Sequence, residues 1–253
     1  MNIYNLYIKI NNYITKILKY VYVVVIYNIG VVFYEGKFVQ KDYFKSVKMF
    51  SIASEQGYDK AQHYLGIMYY FGQYVKQDYL VAASLFKMAA NQGNPESQYR
   101  LGIMYYVGQG IEKNSHKAID MLQKASVQGN SYAKTLLADI YFKGVYVTRD
   151  YFKAYQLYLS AAENGNCVAQ YNLGMMYYVG NCVKQDYFKA IYFLHKAAEQ
   201  GMSEAQYNLG VIYENGEGIK QSYTYAKEWY GKSCDNGFQQ GCYDYKRLNM
   251  KGY

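Results

Sequence analysis

Apolar positions in this chain recur at helical spacing, and the whole pattern repeats every 36 residues. In the stretch that starts at Ala169, the residues Leu173, Gly174 and Tyr177 fall at helical spacing from Ala169 and from one another, which predicts one apolar face of an α-helix. Gly180 follows, and glycine readily adopts the left-handed backbone that ends a helix. We call this first helix of the repeat helix A.

A second predicted helix, helix B, completes the repeat. Asp186 precedes it and is a good N-cap residue, because its carboxylate can accept hydrogen bonds from the free backbone N–H groups of the first turn. Apolar residues at Ala190, Leu194 and Ala197 again recur every three or four positions, and Gly201 ends the helix. Each repeat is therefore predicted to be helix A, turn, helix B, turn.

A fixed period of this length is typical of a solenoid built from small supersecondary units, and such arrays mostly bind other proteins. The sequence predicts an all-α fold: an α/α solenoid, or superhelix, of six 36-residue helix-turn-helix repeats with terminal capping helices. A segment at 1–24 precedes the repeats and a capping helix at 241–253 follows them. The predicted repeats cover residues 25–60, 61–96, 97–132, 133–168, 169–204 and 205–240.

Four A helices carry a glycine in their interior, although glycine costs about 1 kcal/mol relative to alanine there. This cost is explained if helix B of the same repeat packs directly on the backbone of helix A. We therefore expect small residues of helix B to lie opposite these glycines. The glycines are Gly66, Gly102, Gly174 and Gly210, and the expected opposing residues are Ala82, Ala118, Ala154, Ala190 and Ala226.

The repeated residues resemble a known family. The unit reads Ala-Gln-Tyr-Asn-Leu-Gly-x-x-Tyr-Tyr-x-Gly, then Val-Lys-Gln-Asp-Tyr, then Ala-x-x-x-x-x-Lys-Ala-Ala-Glu-Gln-Gly. This is similar to the Sel-1-like repeat (SLR) family, a relative of the tetratricopeptide repeat, and the similarity covers roughly residues 25–253. The resemblance implies a bacterial, non-catalytic protein–protein interaction scaffold that binds a peptide or protein partner.

By analogy with the tetratricopeptide repeat, helix A residues near the Leu-Gly pair face the concave side of the array. An aromatic strip with a few charges suits peptide binding, because tyrosine offers stiff apolar area and a hydroxyl. Packing between neighbouring A helices is the alternative for each of these side chains, and Asp139 and Lys143 interrupt the strip. The candidate residues are Tyr34, His63, Ile67, Tyr70, Tyr99, Tyr106, Phe142, Tyr171, Tyr178 and Tyr207.

The cysteines suggest one disulfide bond. Cys234 lies near the end of a helix B and Cys242 near the start of the next helix A, and the tight turn between them can bring their Cα atoms within bonding range. Two free thiols in a reducing compartment are the alternative. The spacing also resembles the cysteine-rich, exported branch of the SLR family, which weakly favours a periplasmic or secreted protein over a cytoplasmic one.

Members of that cysteine-rich branch are described as binding or weakly hydrolysing β-lactams, and this resemblance supplies the alternative function. Ser84 and Lys87 match the Ser-x-x-Lys pattern of penicillin-recognising enzymes, but the companion motifs are lacking, which indicates coincidence. The three histidines form no metal-binding pattern and no glycine-rich phosphate loop is evident, so no metal or cofactor is expected.

The segment at 1–24 has two interpretations. Ile10, Ile14, Ile17 and Val21 have helical spacing, which favours a degenerate helix B that caps the first repeat. An export segment is the alternative, because three lysines precede an apolar run, although no small-residue cleavage site follows it. The stretch is too interrupted and too short to predict a membrane helix, so no stable membrane insertion is expected.

The chain is basic, with a formal net charge of +8 and a pI of about 9.0. One cation per repeat falls in the loop between helices A and B, and stacking would align these cations in a ridge that could meet nucleic acid. Aspartates alternate with them, so we interpret the ridge as a solvated loop face and expect no nucleic-acid partner. The cations are Lys41, Lys76, Lys113, Arg149, Lys184 and Lys220.

Overall fold

The computed structural model describes residues 3–253, so Met1 and Asn2 of the predicted N-terminal segment lie outside it. Within this range the chain forms thirteen α-helices and no strand, which confirms the predicted all-α fold. The helices fall into two compact units, Met1–Asn130 and Ser131–Tyr253, which we call unit 1 and unit 2.

Unit 1 contains the first six helices, and unit 2 contains the other seven. In unit 1 they are α1 (Ile3–Glu35), α2 (Tyr43–Glu55), α3 (Asp59–Phe71), α4 (Tyr79–Asn91), α5 (Pro95–Val107) and α6 (Ser115–Val127). In unit 2 they are α7 (Ser131–Lys143), α8 (Tyr151–Glu163), α9 (Cys167–Val179), α10 (Tyr187–Glu199), α11 (Ser203–Asn215), α12 (Tyr223–Asp235) and α13 (Gln239–Met250).

Within each unit, helices that follow one another in the chain pack together. The odd-numbered helices α1–α11 are the predicted A helices, and each packs most extensively on the helix B that follows it. Contacts from each helix B to the next helix A then join the hairpins within a unit, for example α4 to α5 and α10 to α11. These helix-turn-helix repeats confirm the α/α solenoid class of fold.

The helix ends form as the sequence predicts. The side chain of Asp186 accepts a 3.1 Å hydrogen bond from the backbone N–H of Lys189 at the start of α10. Gly180 caps α9 with a left-handed backbone (φ 77°), which a residue with a side chain rarely adopts. These two residue types fix the start of helix B and the end of helix A.

Helix B packs closely on the glycines of helix A, but through larger residues than we expected. A Cβ atom at Gly174 would lie 2.9 Å from Cγ of Leu194, and one at Gly66 would lie 2.8 Å from Cε1 of Phe86. The expected opposing residue Ala190 is fully buried, but the side chain that packs on Gly174 is that of Leu194, four positions later in the same helix. The glycine therefore makes room for a bulky apolar residue, which buries more apolar area than two small residues could.

Buried glutamines link neighbouring hairpins within each unit, in a way that the sequence did not reveal. Gln98, near the start of α5, donates through Nε2 to the carbonyl oxygen of Ala90 at the end of α4 (3.2 Å). Its Oε1 accepts a 2.8 Å hydrogen bond from Nε2 of Gln128 at the end of α6. Gln170 repeats both bonds in unit 2 with Ala162 and Gln200. The repeated glutamine thus satisfies carbonyl groups that a helix end leaves without a partner.

The first helix is longer than the pattern of residues 1–24 suggested. Helix α1 runs without a break from Ile3 to Glu35, so residues 3–24 and helix A of the first repeat form one continuous helix. Val21 stands 36 positions before the turn glycine Gly57, so nothing there ends the helix. Whether residues 1–24 cap the first repeat stays a prediction.

Much of the first half of α1 is exposed. Leu18 is 63% exposed and Tyr7 is 66% exposed, whereas Val23, where packing against α2 and α3 begins, is 5% exposed. By length and composition, residues 7–35 are long and apolar enough to cross a membrane, a test that signal sequences near an N-terminus also pass. The absence of stable membrane insertion stays a prediction.

The glycine contact can be tested with two alanine substitutions. Gly174→Ala should destabilise the protein by about 1–3 kcal/mol, because Leu194 must move and overpacking outweighs the better helix propensity of alanine. Gly231→Ala is the matched control, since its Cβ would meet only the side chain of Tyr245, at 3.3 Å. Urea denaturation measures both changes. A Gly174→Ala protein as stable as the control would contradict this account.

Candidate partner-binding surface

The ten residues predicted to bind a partner all lie on A helices, and all ten are half-buried. Helices α1, α3 and α5 of unit 1 carry Tyr34, His63, Ile67, Tyr70, Tyr99 and Tyr106. Helices α7, α9 and α11 of unit 2 carry Phe142, Tyr171, Tyr178 and Tyr207. We call this set the helix A surface, and each unit presents its own part of it.

One row of tyrosines on this surface reaches into the loop after the next A helix. The hydroxyl of Tyr34 donates to Oε1 of Gln73 (3.1 Å), and that of Tyr70 donates to Oε1 of Gln109 (2.7 Å). In unit 2 the hydroxyl of Tyr178 donates to Glu217, and burial together with this bond raises the pKa of Tyr178 to about 12. These hydroxyls hold neighbouring repeats together and are not available to a partner as free donors.

The rings of the same row are partly covered by helix B of their own repeat. The ring centroid of Tyr70 lies 5.2 Å from that of Tyr79 and 6.5 Å from that of Phe86, in edge-on or tilted contacts. Tyr34 meets Tyr43 in the same way, at 5.5 Å. One edge of each ring therefore packs against helix B, and the rest of the side chain is partly accessible. Its role in binding a partner stays a prediction.

His63 is neutral near pH 7 because of its surroundings. Its Nδ1 lies 2.9 Å from Oγ of the buried Ser97, and its ring lies 5.7 Å from that of Phe86. Burial lowers the pKa of His63 to about 4, with a further contribution from the positive charge of Arg100. The equivalent positions in other repeats hold Tyr99, Tyr171 and Tyr207.

These three tyrosines make polar or cationic contacts at their edges. The guanidinium of Arg100 lies 5.8 Å from the ring centroid of Tyr99. Asn208 approaches the hydroxyl of Tyr171 through Nδ2 at 3.4 Å. The hydroxyl of Tyr207 donates to Oδ2 of Asp244 (3.3 Å). The helix A surface is therefore aromatic with polar groups at its margins.

The fourth repeat departs from the aromatic pattern. Asp139 stands where Ile67 and Ile103 stand in two earlier repeats, and its Oδ1 accepts hydrogen bonds from the Tyr158 hydroxyl and from Nδ2 of Asn172 (3.3 Å). Burial and the bond to Asp139 raise the pKa of Tyr158, so its hydroxyl stays protonated as a donor. The sequence marked Asp139 as an interruption, but nothing in it indicated that Tyr158 and Asn172 converge on that carboxylate.

A cavity of about 380 Å³ opens beside Asp139. Its walls come from helices α7, α8 and α9 and the loop after α9, and they are mostly apolar. The lining residues are Asp139, Phe142, Lys143, Tyr158, Val168, Asn172, Met175, Met176, Val179 and Asn181. The candidate residue Phe142 thus forms part of a pocket that contains one carboxylate.

The last hairpin holds a second carboxylate and tyrosine pair, completed by an arginine that the sequence did not single out. The hydroxyl of Tyr230 donates to Oε2 of Glu214 (2.8 Å). Arg247 of α13 donates to both oxygens of Glu214, through Nη1 (2.8 Å) and Nη2 (2.7 Å), and through Nε to Oδ1 of Asp244 (2.9 Å). The hydrogen bonds from Arg247 lower the pKa of Glu214. This bidentate pair ties α13 to α11.

Cys234 and Cys242 are joined by a disulfide, with their Cα atoms 4.5 Å apart. The bond lies where other repeats have the buried glutamine: Gln206 donates to the carbonyl oxygen of Ala198 (3.0 Å) over the same separation of eight residues. The disulfide therefore replaces a hydrogen bond by a covalent one. Cys167 and Cys182 are free thiols.

The candidate chemical motifs lie at exposed positions of the described residues. Ser84 and Lys87 are both exposed on the outer side of α4. Across residues 3–253 no group of three or more His, Cys, Asp or Glu side chains could hold a metal ion. The loop cations, such as Lys76 in unit 1 and Lys184 in unit 2, are exposed to solvent.

The environment of His63 predicts a pH dependence of stability. Between pH 6.5 and pH 4 the unfolded chain takes up a proton on His63 that the folded protein excludes, so stability should fall by roughly 2 kcal/mol as the pH drops through this range. Urea denaturation at pH 7 and pH 4.5 measures the loss.

The control for this pH dependence is His63→Tyr, which installs the residue found at this position in four other repeats, as Tyr27, Tyr99, Tyr171 and Tyr207. It should remove most of the additional loss at low pH, because the remaining histidines, His116 and His195, are unchanged. An equal pH dependence in the variant and the wild-type protein would show that His63 is not the group responsible.

The disulfide predicts a second effect on stability. Replacing both Cys234 and Cys242 by serine should lower the free energy of unfolding by about 2–3 kcal/mol, since a closed loop of this length restricts the unfolded chain. Hydrogen exchange should increase in α13. Replacing the free Cys182 by serine serves as the control and should change neither measurement.

Comparison with known proteins finds a matching family model and similar solved structures. The sequence model described as Sel1 repeat matches residues 24–58, 59–94, 95–130, 131–166, 167–202 and 203–238. No curated protein gives a significant match.

Two solved structures are similar over most of the chain. A protective antigen of uropathogenic Escherichia coli strains, described as displaying an SLR fold, is 34% identical over 93% of this chain, with a TM-score of 0.80. The chain spans 50% of the length of that antigen. A Sel1 repeat protein from Oxalobacter formigenes is 31% identical over 84% of this chain and 87% of its own, again with a TM-score of 0.80.

Proposed function

The chain belongs to the Sel1 repeat family, and we propose that it is a non-catalytic scaffold that binds a protein or peptide partner on its helix A surface. Sel1 repeat proteins generally bind protein partners and are typically not enzymes. The observation that carries the proposal is the row of half-buried aromatic side chains at equivalent positions of successive A helices.

The burial of these side chains suits binding. Because their inner edges are fixed by packing and by bonds such as that from Tyr70 to Gln109, little rotamer entropy remains to be lost when a partner covers the outer part. Aromatic residues held in this way provide large contact areas and are frequent hot spots in protein interfaces. The tyrosines therefore act as stiff anchors, while polar groups at the margins set the orientation of the partner.

Nothing in the described residues favours the β-lactam alternative. Ser84 and Lys87 share an exposed helical face and do not line the cavity beside Asp139. The partner is proposed to be a protein rather than a nucleic acid, because the exposed loop cations alternate with aspartates such as Asp78 and Asp186.

Two features support a proposal for the compartment in which the protein is located. A disulfide persists in oxidising compartments, and an apolar helix near the start of the chain is compatible with a signal sequence. Both favour export without fixing a compartment. We propose a periplasmic or secreted protein over a cytoplasmic one.

Peptide selection followed by substitution tests the surface. A peptide enriched from a displayed random library on the wild-type protein should bind Tyr70→Ala or Tyr178→Ala at least 10-fold more weakly, as expected for loss of an aromatic anchor. Tyr192→Ala removes an exposed tyrosine from α10, which is a B helix. It is the matched control and should bind as tightly as wild type. Isothermal calorimetry, at a temperature where circular dichroism shows all variants folded, measures the affinities.

Two results would contradict the proposal. Unchanged affinity of both helix A variants would place the interface elsewhere, and binding abolished by Tyr192→Ala would place it on the B helices. The Tyr70→Phe variant separates the two roles of that side chain: it removes only the bond to Gln109, so it should retain the affinity and lose stability.

A further inference from the structure

Unit 2 contains two tyrosine and carboxylate pairs that are built alike. Tyr158 and Tyr230 occupy the same position of helix B, two repeats apart, and each donates its hydroxyl to a carboxylate of the preceding helix A. The carboxylates, Asp139 and Glu214, are three positions apart in the repeat, which is one helical turn. The two pairs can therefore be compared group by group.

The pairs differ in what the next A helix supplies. For Glu214 it supplies Asp244 and Arg247, and Arg247 forms a bidentate bond to the carboxylate. The residues at the same two positions beside Asp139 are Asn172 and Met175. Among the described residues no cation forms an ion pair with Asp139, and both of its hydrogen bonds reach Oδ1.

The lining of the cavity beside Asp139 is complementary to a long cationic side chain, because it combines apolar walls with one carboxylate. Met175 and Asp139 both line the cavity of about 380 Å³, and Phe142, Val168 and Val179 supply apolar walls. An arginine buries its aliphatic stem along apolar surface and presents a planar fork to a carboxylate. Lys143 also lines the cavity but is exposed, and it forms no ion pair with Asp139 among the described residues.

We propose that the fourth-repeat cavity receives an arginine side chain of the partner, with Asp139 as the acceptor of its guanidinium group. The arginine takes the role beside Asp139 that Arg247 takes beside Glu214. This inference rests on the proposed function, because it assigns the chemistry of the peptide or protein that binds the helix A surface. It makes the cavity the position that determines specificity on an otherwise aromatic surface.

Peptide pools with one fixed residue test the inference. Four pools of random peptides are immobilised, with arginine, lysine, citrulline or glutamate fixed at the central position; citrulline has the shape of arginine without its charge. The wild-type protein should bind the arginine pool at least 10-fold more than the citrulline pool, and more than the lysine pool. Asp139→Asn should reduce binding of the arginine pool to the citrulline level and leave the citrulline pool unchanged.

The outcomes separate the two proposals. Equal binding of the arginine and citrulline pools by wild type, or an arginine preference that survives Asp139→Asn, overturns the cavity assignment alone. A lysine preference equal to that for arginine overturns the guanidinium assignment. The absence of binding to any pool overturns the proposed function as well. Lys143→Ala is the control for the neighbouring charge, and its arginine preference should be equal to or greater than that of wild type.

A second variant tests the cavity without a peptide. Met175→Arg places an arginine at the position equivalent to Arg247, so it should occupy the cavity, pair with Asp139 and remove the arginine preference in the pool assay. It should also raise the melting temperature, and the rise should vanish when Asp139→Asn is combined with it. A melting temperature that falls equally in both backgrounds would show that the cavity cannot accommodate a guanidinium group beside Asp139.

Discussion

Close packing of helix B on a glycine of helix A is the contact on which the rest of the repeat depends in all repeats except the fourth, which has Ala138 at this position. The glycine lowers helix propensity at one position. In return, a large side chain such as Phe86 or Leu194 is buried directly against the backbone of helix A, which stabilises the hairpin. Because this contact sets how the two helices of a hairpin lie, it also sets which helix A side chains stay half-buried. The repetition of Tyr34, Tyr70 and Tyr178 in the same environment follows from it.

The helices and turns were predictable because their signals are local. Asp186 and Gly180 act on the backbone within a few residues, and their effects can be stated from one repeat alone. The buried glutamines were not predictable, since Gln98 and Gln170 look like ordinary polar positions of an amphipathic helix. Their partners lie in neighbouring hairpins, and only the stacked structure shows which carbonyl groups need a donor.

The surface was predicted in position but not in detail. Helical spacing places Tyr70 on the predicted face of helix A, yet its hydrogen bond to Gln109 spans 39 residues and depends on how repeats stack. The same limit applies to Asp139, Tyr158 and Asn172, which come from three different helices. The length of α1 could have been predicted, because no glycine or proline near Val21 ends the helix.

Residues that differ from the repeated pattern form the polar and covalent contacts that distinguish one repeat from another. In an array whose units contact mainly their neighbours, a local set of substitutions alters one site without disturbing the others. In the last hairpin, Cys242 replaces the glutamine and Arg247 binds Glu214, so α13 gains a covalent bond to α12 and an ion pair with α11. In the fourth repeat, Asp139 introduces a carboxylate without such an arginine. The same repeat thus gains additional bonds in the last hairpin, whereas in the fourth repeat no cation among the described residues forms an ion pair with Asp139.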